Sequence, residues 1–392
     1  MKILPAKSKF TLYAILFILL AVTFFINILY VVDSLGGLYD FGSFVGAGEL
    51  ALNGLDPYST ESSLINSIKF RENDPSQYAP NLNPPITVLI FKKIANINPL
   101  SSITFWRICS ILFFITAIII LQRTYPARGF QAFMRFTWAL SLAGFWHTLH
   151  LGQIYTFLLI LIVLAWVLFK NNKPVAAGIF LGIVIAIKPN FILLALLLCI
   201  AGNWQLFLSA GVTAAIISAI PLITNGFGIY RQWLEASLLF TPNMLVFPGN
   251  NSFEGLTARF GSHAAGTIIS LLLIILLIFY IYKSKPNQEK VISLGILISL
   301  LASPIAWTGY TMLLLPIIFS RKQWNWPFLF TAAILSVPFL IPLNLFILSS
   351  FNFVFFGWFY GWGLLVLLFG ILSIPTIRID KVAAMTNNIQ TN

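Results

Sequence analysis

The residues best suited to chemistry cluster just behind the first long apolar run. Seven of the eleven acidic residues (Asp33, Asp40, Glu49, Asp56, Glu61, Glu72 and Asp74) fall within one segment of the chain. Asp40 stands out in the stretch "LYDFGSFVGAGELALNGLDPY", where a helix is predicted from Phe41 to Asn53-Gly54. Two readings of Asp40 stand side by side and are compatible. Aspartate is a favoured N-cap, and a carboxylate at a helix N-terminus is held ionised and rigid, as a catalytic acid–base group needs. The small residues Gly42, Ser43, Gly46, Ala47 and Gly48 predict close helix–helix contact. Asp56 before Pro57 reads as a turn residue. Glu49 reads as a solvated helix face and Asp33 as a marker of the water line.

A second group sits in "WHTLHLGQIYTF", where His147, His150 and Gln153 recur at spacings of three, along one helical face. Hydrogen bonds to a polar ligand or phosphate, ordinary interfacial polar contacts, and zinc binding all use such spacing. Zinc lacks a nearby Cys, Glu or third His to complete it. Lys188 lies in the apolar run "IVIAIKPNF" before a helix-breaking proline. An ammonium there either snorkels to headgroups or binds an anionic group. Further on, Arg231, Arg259, Asn250, Asn251, Ser252 and His263 crowd into one stretch. Arginine suits bidentate phosphate recognition, so Arg231 and Arg259, with Lys188 and His150, make a candidate anionic pocket. Asn250-Asn251-Ser252 matches a glycosylation sequon by pattern alone. In "LASPIAWTGY", Ser303-Pro304 interrupts two short apolar runs and Trp307 reads as an interface anchor.

These residues need elements to hold them, and composition says which. The chain of 392 residues is 59% hydrophobic and 9% charged, against about 45–50% apolar and about 25% charged in soluble domains. Such a chain uses lipid as solvent, and lipid forces the backbone to satisfy itself within helices. The alternation of a membrane β-barrel is absent. The first apolar run, Phe10–Val32, follows a basic N-terminus and is too long for the core of a signal peptide, so it reads as an uncleaved span. Apolar runs then recur at 103–121, 130–149, 154–169, 174–187, 190–203, 205–224, 264–282, 291–303, 306–320, 327–348 and 355–374. The expected fold is an all-α polytopic membrane protein, one domain over 1–392, with about twelve spans of about 20 residues each.

Charge orients the chain. Arg123, Arg128, "KNNK", "KSKPNQEK", Arg321-Lys322, Arg378 and Lys381 lie in short loops, which predicts cytoplasmic loops and cytoplasmic termini. Residues 33–102 then form a first extracytoplasmic loop. It carries an amphipathic helix at 41–52 and a second apolar stretch after Pro84-Pro85. A second extracytoplasmic loop covers 225–262. The net charge of +12 follows from the same rule and gives no case for nucleic acid. Cys109 and Cys199 fall in apolar runs and read as small core hydrophobes. No phosphate-cradling glycine loop, no G-x-S-x-G elbow and no cysteine metal cluster occurs.

The segments "YDFGSFVGAGELALNGLDPYS", "YAPNLNPPITVLIF", "LHLGQIYTFLLIL", "AAGIFLGIVIAIKPNFILL", "NNSFEGLTARF" and "LASPIAW" appear in that order over roughly 39–307. Together they resemble the polytopic GT-C glycosyltransferases, and within them glycosyltransferase family 87. The resemblance implies a GT-C-like bundle in a bacterial inner membrane. It implies transfer of a mannose-like hexose from a polyprenyl-phosphate sugar to a lipid or glycan acceptor at the outer face. Asp40 then takes the place of the general base, and Gln153, Lys188, Asn251 and Ser252 fall in motifs around the lipid-facing site. Thr308-Gly309-Tyr310 departs from the more polar stretch, often with His, expected after Trp307, and Tyr78-Ala79-Pro80 is looser than the usual Tyr-x-Pro-Pro. The chemistry suits the residues. A phosphate is already a good leaving group, so one base and a cation suffice where glycoside hydrolysis needs two carboxylates. No cofactor is implied, and a divalent-metal requirement stays open. A transporter or flippase of lipid-linked saccharides is the competing reading; it expects paired mid-bilayer charges and repeated halves. A non-catalytic scaffold is the third.

Overall fold

The computed structural model describes residues 6–33, 39–60 and 81–375. All regular elements among them are helical, and the one β-type pairing is an isolated bridge between Asn250 and Trp307. The acids Glu61, Glu72 and Asp74, the Tyr78–Pro80 segment, and Arg378 and Lys381 lie outside the described residues.

Among the described residues four helices are long and apolar enough to cross a bilayer: Ala14–Val32 within α1 (Ala6–Asp33), α4 (Pro99–Thr124), α10 (Trp204–Asn225) and α13 (His263–Ser284). A fifth span forms if the bent pair α16 (Trp326–Ser336) and α17 (Leu340–Phe346), which turns by 79°, is taken as one. These helices turn large apolar side chains outward: Phe25, Leu29, Leu112, Ile216, Ile223, Ile275 and Leu276 are all exposed. Exposed apolar surface on that scale marks contact with lipid. The shorter apolar helices sit inside. They are α7 (Tyr155–Lys170), α8 (Pro174–Ile187), α9 (Ile192–Ile200), a 3-10 helix at Thr308–Leu314 and α19 (Phe359–Leu372). Leu158, Val163, Val184, Leu198, Leu313 and Leu367 there are buried in one continuous core.

Small residues set the closest packing. Gly178 and Gly182, four apart on α8, lie against Ser209, Ala210 and Thr213 of α10, where an added Cβ would collide. This is the small-residue contact by which membrane helices approach without a hydrophobic driving force. The expected close contact after the first span takes the same form. Helix α2 (Tyr39–Leu52) packs on α3 (Pro85–Ile94), and a Cβ on Gly48 would stand 2.5 Å from the Phe91 backbone. Helix α2 is less amphipathic than its sequence pattern predicts: Phe41, Phe44, Val45, Ala47 and Leu50 are all buried. The neighbouring α3 and the core, rather than water, cover its apolar residues. Gly54, at φ +71°, follows the end of that helix as expected.

Candidate active site

Asp40 is the second residue of α2, inside the first turn rather than before it as the N-cap reading had it. Phe41 anchors that turn. Its ring is fully buried, 5.9 Å from Phe91 and 5.6 Å from Trp106 of α4. Gln153 arrives from the other side. Helix α6 (Ala143–Leu151) ends at Gly152, whose φ of +71° is the left-handed conformation that glycine adopts freely at a helix C-terminus. The Gln153 N–H returns to the Thr148 carbonyl at 3.0 Å, and the Trp106 indole N–H donates to the Gly152 carbonyl at 2.9 Å. The Gln153 Nε2 then donates to Asp40 Oδ2 at 2.5 Å.

Lys188 comes from a third direction. Pro189 stops α8, and Lys188 takes an extended conformation at the break. Asn190 ties the break to the Ser299 carbonyl at 2.7 Å on α14 (Gln288–Leu301). The Lys188 ammonium stands 5.6 Å from the ring centre of Tyr155 and 5.5 Å from that of Tyr310, within the range of a cation–π contact. Those two rings lie 4.2 Å apart. Gly309 permits this, because a Cβ there would strike the Tyr155 ring and reach within 2.7 Å of Thr148 Oγ1.

Asp40 and Lys188 are both partly exposed, whereas Gln153, Tyr155 and Tyr310 are buried. Burial pushes the Asp40 carboxyl up from 3.8 to about 6, against the smaller opposing effects of the Gln153 hydrogen bond and the Lys188 charge. The group is therefore ionised at neutral pH yet far more basic than an ordinary aspartate, as a general base operating near pH 7 should be. Lys188 forms no direct ion pair with it; the ion pairs among the described residues are Lys170–Glu289 and Arg231–Glu235. A base and a cation thus face one small region without neutralising each other in contact.

The other expected residues stand elsewhere. His150 stacks on Tyr30 of α1 at 3.8 Å, with Nδ1 3.1 Å from the Tyr30 carbonyl. His147 stacks on Phe339 at 4.1 Å. No group of three or more metal-ligating side chains occurs among the described residues. Arg231, on α11 (Gly228–Met244), is 76% exposed and pairs with Glu235 one turn on. Arg259 is buried at the end of α12 (Phe253–Ala258) and donates to the carbonyls of Asn250, Gly255 and Phe247. Burial pulls its guanidinium down to about 10. Asn251 and Ser252 are equally committed to scaffolding. Asn251 donates to Gly249 and accepts from Gly361, while Ser252 donates to Pro304 and caps α12. Asn250 is fully buried with its amide bonded to Leu245 and Pro304. The anionic pocket of Arg231, Arg259, Lys188 and His150 expected from sequence is therefore not assembled: Lys188 reaches the Asp40 region, and the two arginines serve a surface ion pair and a loop. Tyr155, Tyr310 and Trp106 were missed. The signal available was a pair of tyrosines inside oily runs, one preceded by a glycine that ring contact requires.

A multi-pass helical protein that brings a carboxylate and a cation to one region is compatible with a membrane-embedded transferase. Residues 81–304 match the model of glycosyltransferase family 87, more than half of the chain, and the chain belongs to that family. It is accordingly a GT-C-like membrane glycosyltransferase. The match includes Gln153 and Lys188 and stops short of Asp40 on one side and Tyr310 on the other. No curated protein and no solved structure gives a match.

Proposed function

We propose that this glycosyltransferase moves a mannose-like hexose from a polyprenyl-phosphate sugar to a lipid or glycan acceptor by a single inverting displacement. Asp40 is the general base. It takes the proton of the acceptor hydroxyl as that oxygen attacks the anomeric carbon. The bond from that carbon to the phosphate oxygen breaks, the electron pair leaves with the phosphate, and Lys188 meets the growing negative charge. The observation that carries this reading is the convergence of Asp40, Gln153 and Lys188 from three separate segments, with the carboxyl raised to about 6.

The same reading covers the surroundings. The chain is one domain of about twelve spans in the bacterial inner membrane, the shorter apolar helices pairing or tilting to complete the count. Both termini are cytoplasmic and the Asp40 site faces the exterior, as the placement of lysine and arginine in the short loops supports. Residues 33–102 and 225–262 are then its two extracytoplasmic loops.

The test is transfer from a radiolabelled polyprenyl-phosphate sugar by purified wild type and Asp40→Asn in detergent. Transfer by wild type alone supports both the enzyme and its base. Transfer by both removes Asp40 from the mechanism, and transfer by neither across several donors shifts the case to the transporter reading. A product that retains the donor's anomeric configuration would rule out the single displacement.

A further inference from the structure

Gln153 does more than touch Asp40. Its amide presents a donor to Oδ2 at 2.5 Å, so one carboxylate oxygen is occupied in the resting protein. Among the described residues no hydrogen bond engages the other oxygen, Oδ1, and Asp40 is partly exposed. The amide cannot swing freely. It is 95% covered, given its 5% exposure, and its backbone is tied on both sides: its own N–H to Thr148, and the preceding Gly152 carbonyl to the Trp106 indole. Trp106 in turn packs against Phe41, the residue after Asp40, and against Phe91 at 5.1 Å. The base and its amide partner are thus fastened to the same aromatic cluster, from opposite sides.

We infer that Gln153, locked by Trp106, is the positioning residue that fixes Asp40 with Oδ1 as the proton-accepting oxygen. The inference rests on the reading of Asp40 as the base. A hydrogen bond donated to a carboxylate favours the charged form. Without it, burial acts almost alone, since Lys188 is the smaller of the two opposing influences. A larger share of the base would then be protonated near neutral pH and unable to accept the acceptor's proton. A purely structural glutamine would support packing without moving the protonation of Asp40.

The test needs no substrate for its first part. Infrared titration of the detergent-solubilised full chain follows the protonated carboxyl band that disappears in Asp40→Asn. In wild type the band titrates near pH 6. In Gln153→Leu, which keeps the bulk and loses the donor, the midpoint rises by about one pH unit. Gln153→Glu keeps the shape and places a second carboxyl against the first, so its midpoint rises further. Trp106→Phe keeps the ring and loses the indole N–H, and gives a smaller rise in the same direction. An unmoved midpoint in both folded Gln153 variants overturns the inference, and a Gln153→Leu chain that fails to fold leaves Gln153→Glu and Trp106→Phe to decide it.

The second part is the pH profile of transfer. The acidic limb of kcat/KM moves up with the infrared midpoint in Gln153→Leu. Activity falls about 5-fold at pH 6 and recovers at pH 8, which is what a base with a raised midpoint does. An equal loss at both pH values overturns the positioning role. If Asp40→Asn itself transfers sugar, the base reading fails instead, and the infrared midpoints still report whether Gln153 governs the ionisation of Asp40.

Discussion

Asp40 and Glu289 have the same neighbours and opposite settings. Each sits in the first turn of a helix, where the helix dipole favours a carboxylate. Each has a lysine from the C-terminal end of another helix and a tyrosine ring under that lysine. At Glu289 the parts close on one another. Lys170 approaches Oε1 at 3.2 Å, the Tyr125 hydroxyl donates to the same oxygen at 2.9 Å, and the Trp166 indole donates to that hydroxyl at 2.7 Å. At Asp40 the lysine is held off over two rings and a neutral amide takes one oxygen. The distance between acid and lysine makes the difference. Contact turns the charges into a tie between helix ends, and separation leaves the Asp40 carboxylate and the Lys188 ammonium without a direct ion pair.

Neutralising the two acids should have the most unequal effects. Asp40→Asn should lower transfer by about 100- to 10,000-fold, the range for a positioned general base, with unchanged expression and a melting temperature at neutral pH no lower than that of wild type. Glu289→Gln should leave kcat/KM within about 2-fold, as expected of a surface tie away from the reacting atoms. Steady-state transfer assays on both variants check this, and comparable losses in the two would mean that the spacing of acid and lysine carries no functional information. Next in size is the lysine pair. Lys188→Ala should cost about 100-fold, chiefly in donor use, because the departing phosphate loses its cation. Donor binding by the variant that matched wild type would detach Lys188 from the phosphate.

The pH response separates the two sites further. Asp40 has a folded value raised from 3.8 to about 6. Between those values the folded chain binds more protons than the unfolded one, so this group's contribution to stability falls as pH rises from about 4 to about 6. Activity moves the other way: kcat/KM climbs through about 6 as the base ionises and flattens above about 7. Melting and transfer measured over pH 4.5–8 should therefore show opposite contributions from Asp40 in wild type, and that contribution should be absent from both curves in Asp40→Asn. A smaller effect comes from Gly309→Ala. Its methyl group meets the Tyr155 ring and the Thr148 hydroxyl, and overpacking of this kind costs about 1–3 kcal/mol. Thermal melting should register that loss together with weaker donor use, since the rings beneath Lys188 must shift.

Much of this was legible in the sequence because lipid imposes strong rules. A run such as 264–282 has to be a helix, and Pro189 has to break one. The carboxylate behind the first span, the amide after Gly152 and the lysine before Pro189 were each visible as polar residues at points where apolar runs stop. What the one-dimensional pattern could not supply was contact. Arg259 reads as a phosphate ligand until its donors are seen to end on three carbonyls. Tyr310 reads as an ordinary aromatic until Gly309 is seen to clear the space for its partner ring. Asn251 and Ser252 sit in a motif for a reason the sequence hides: they fasten the second loop to the segment 304–306 and to α19. Span counting fails for a related reason. Helices buried among other helices, such as α7 and α8, can be apolar on every side and short, so hydropathy alone does not tell a full crossing from a buried turn of the core.

The smallest expected effect is at the Lys170–Glu289 tie, and it limits how far the comparison can be pushed. Both side chains are a little over one-third exposed, so solvent screens them and an isolated pair of this kind contributes no more than about 1 kcal/mol. Tyr125 adds one neutral hydrogen bond, and the favourable placement of Lys170 at a helix C-terminus and Glu289 at an N-terminus persists without contact. Lys170→Met keeps the side chain's length over the Tyr125 ring and removes only the charge. Its melting temperature should fall by no more than about 3 °C, less at 0.5 M salt, where the wild-type pair is already weakened. Transfer should be unchanged at either ionic strength. A loss of transfer in Lys170→Met that salt reproduces in wild type would show that this end of the bundle reports to the Asp40 end through the buried helices between them, and the two carboxylates would have to be treated as one system.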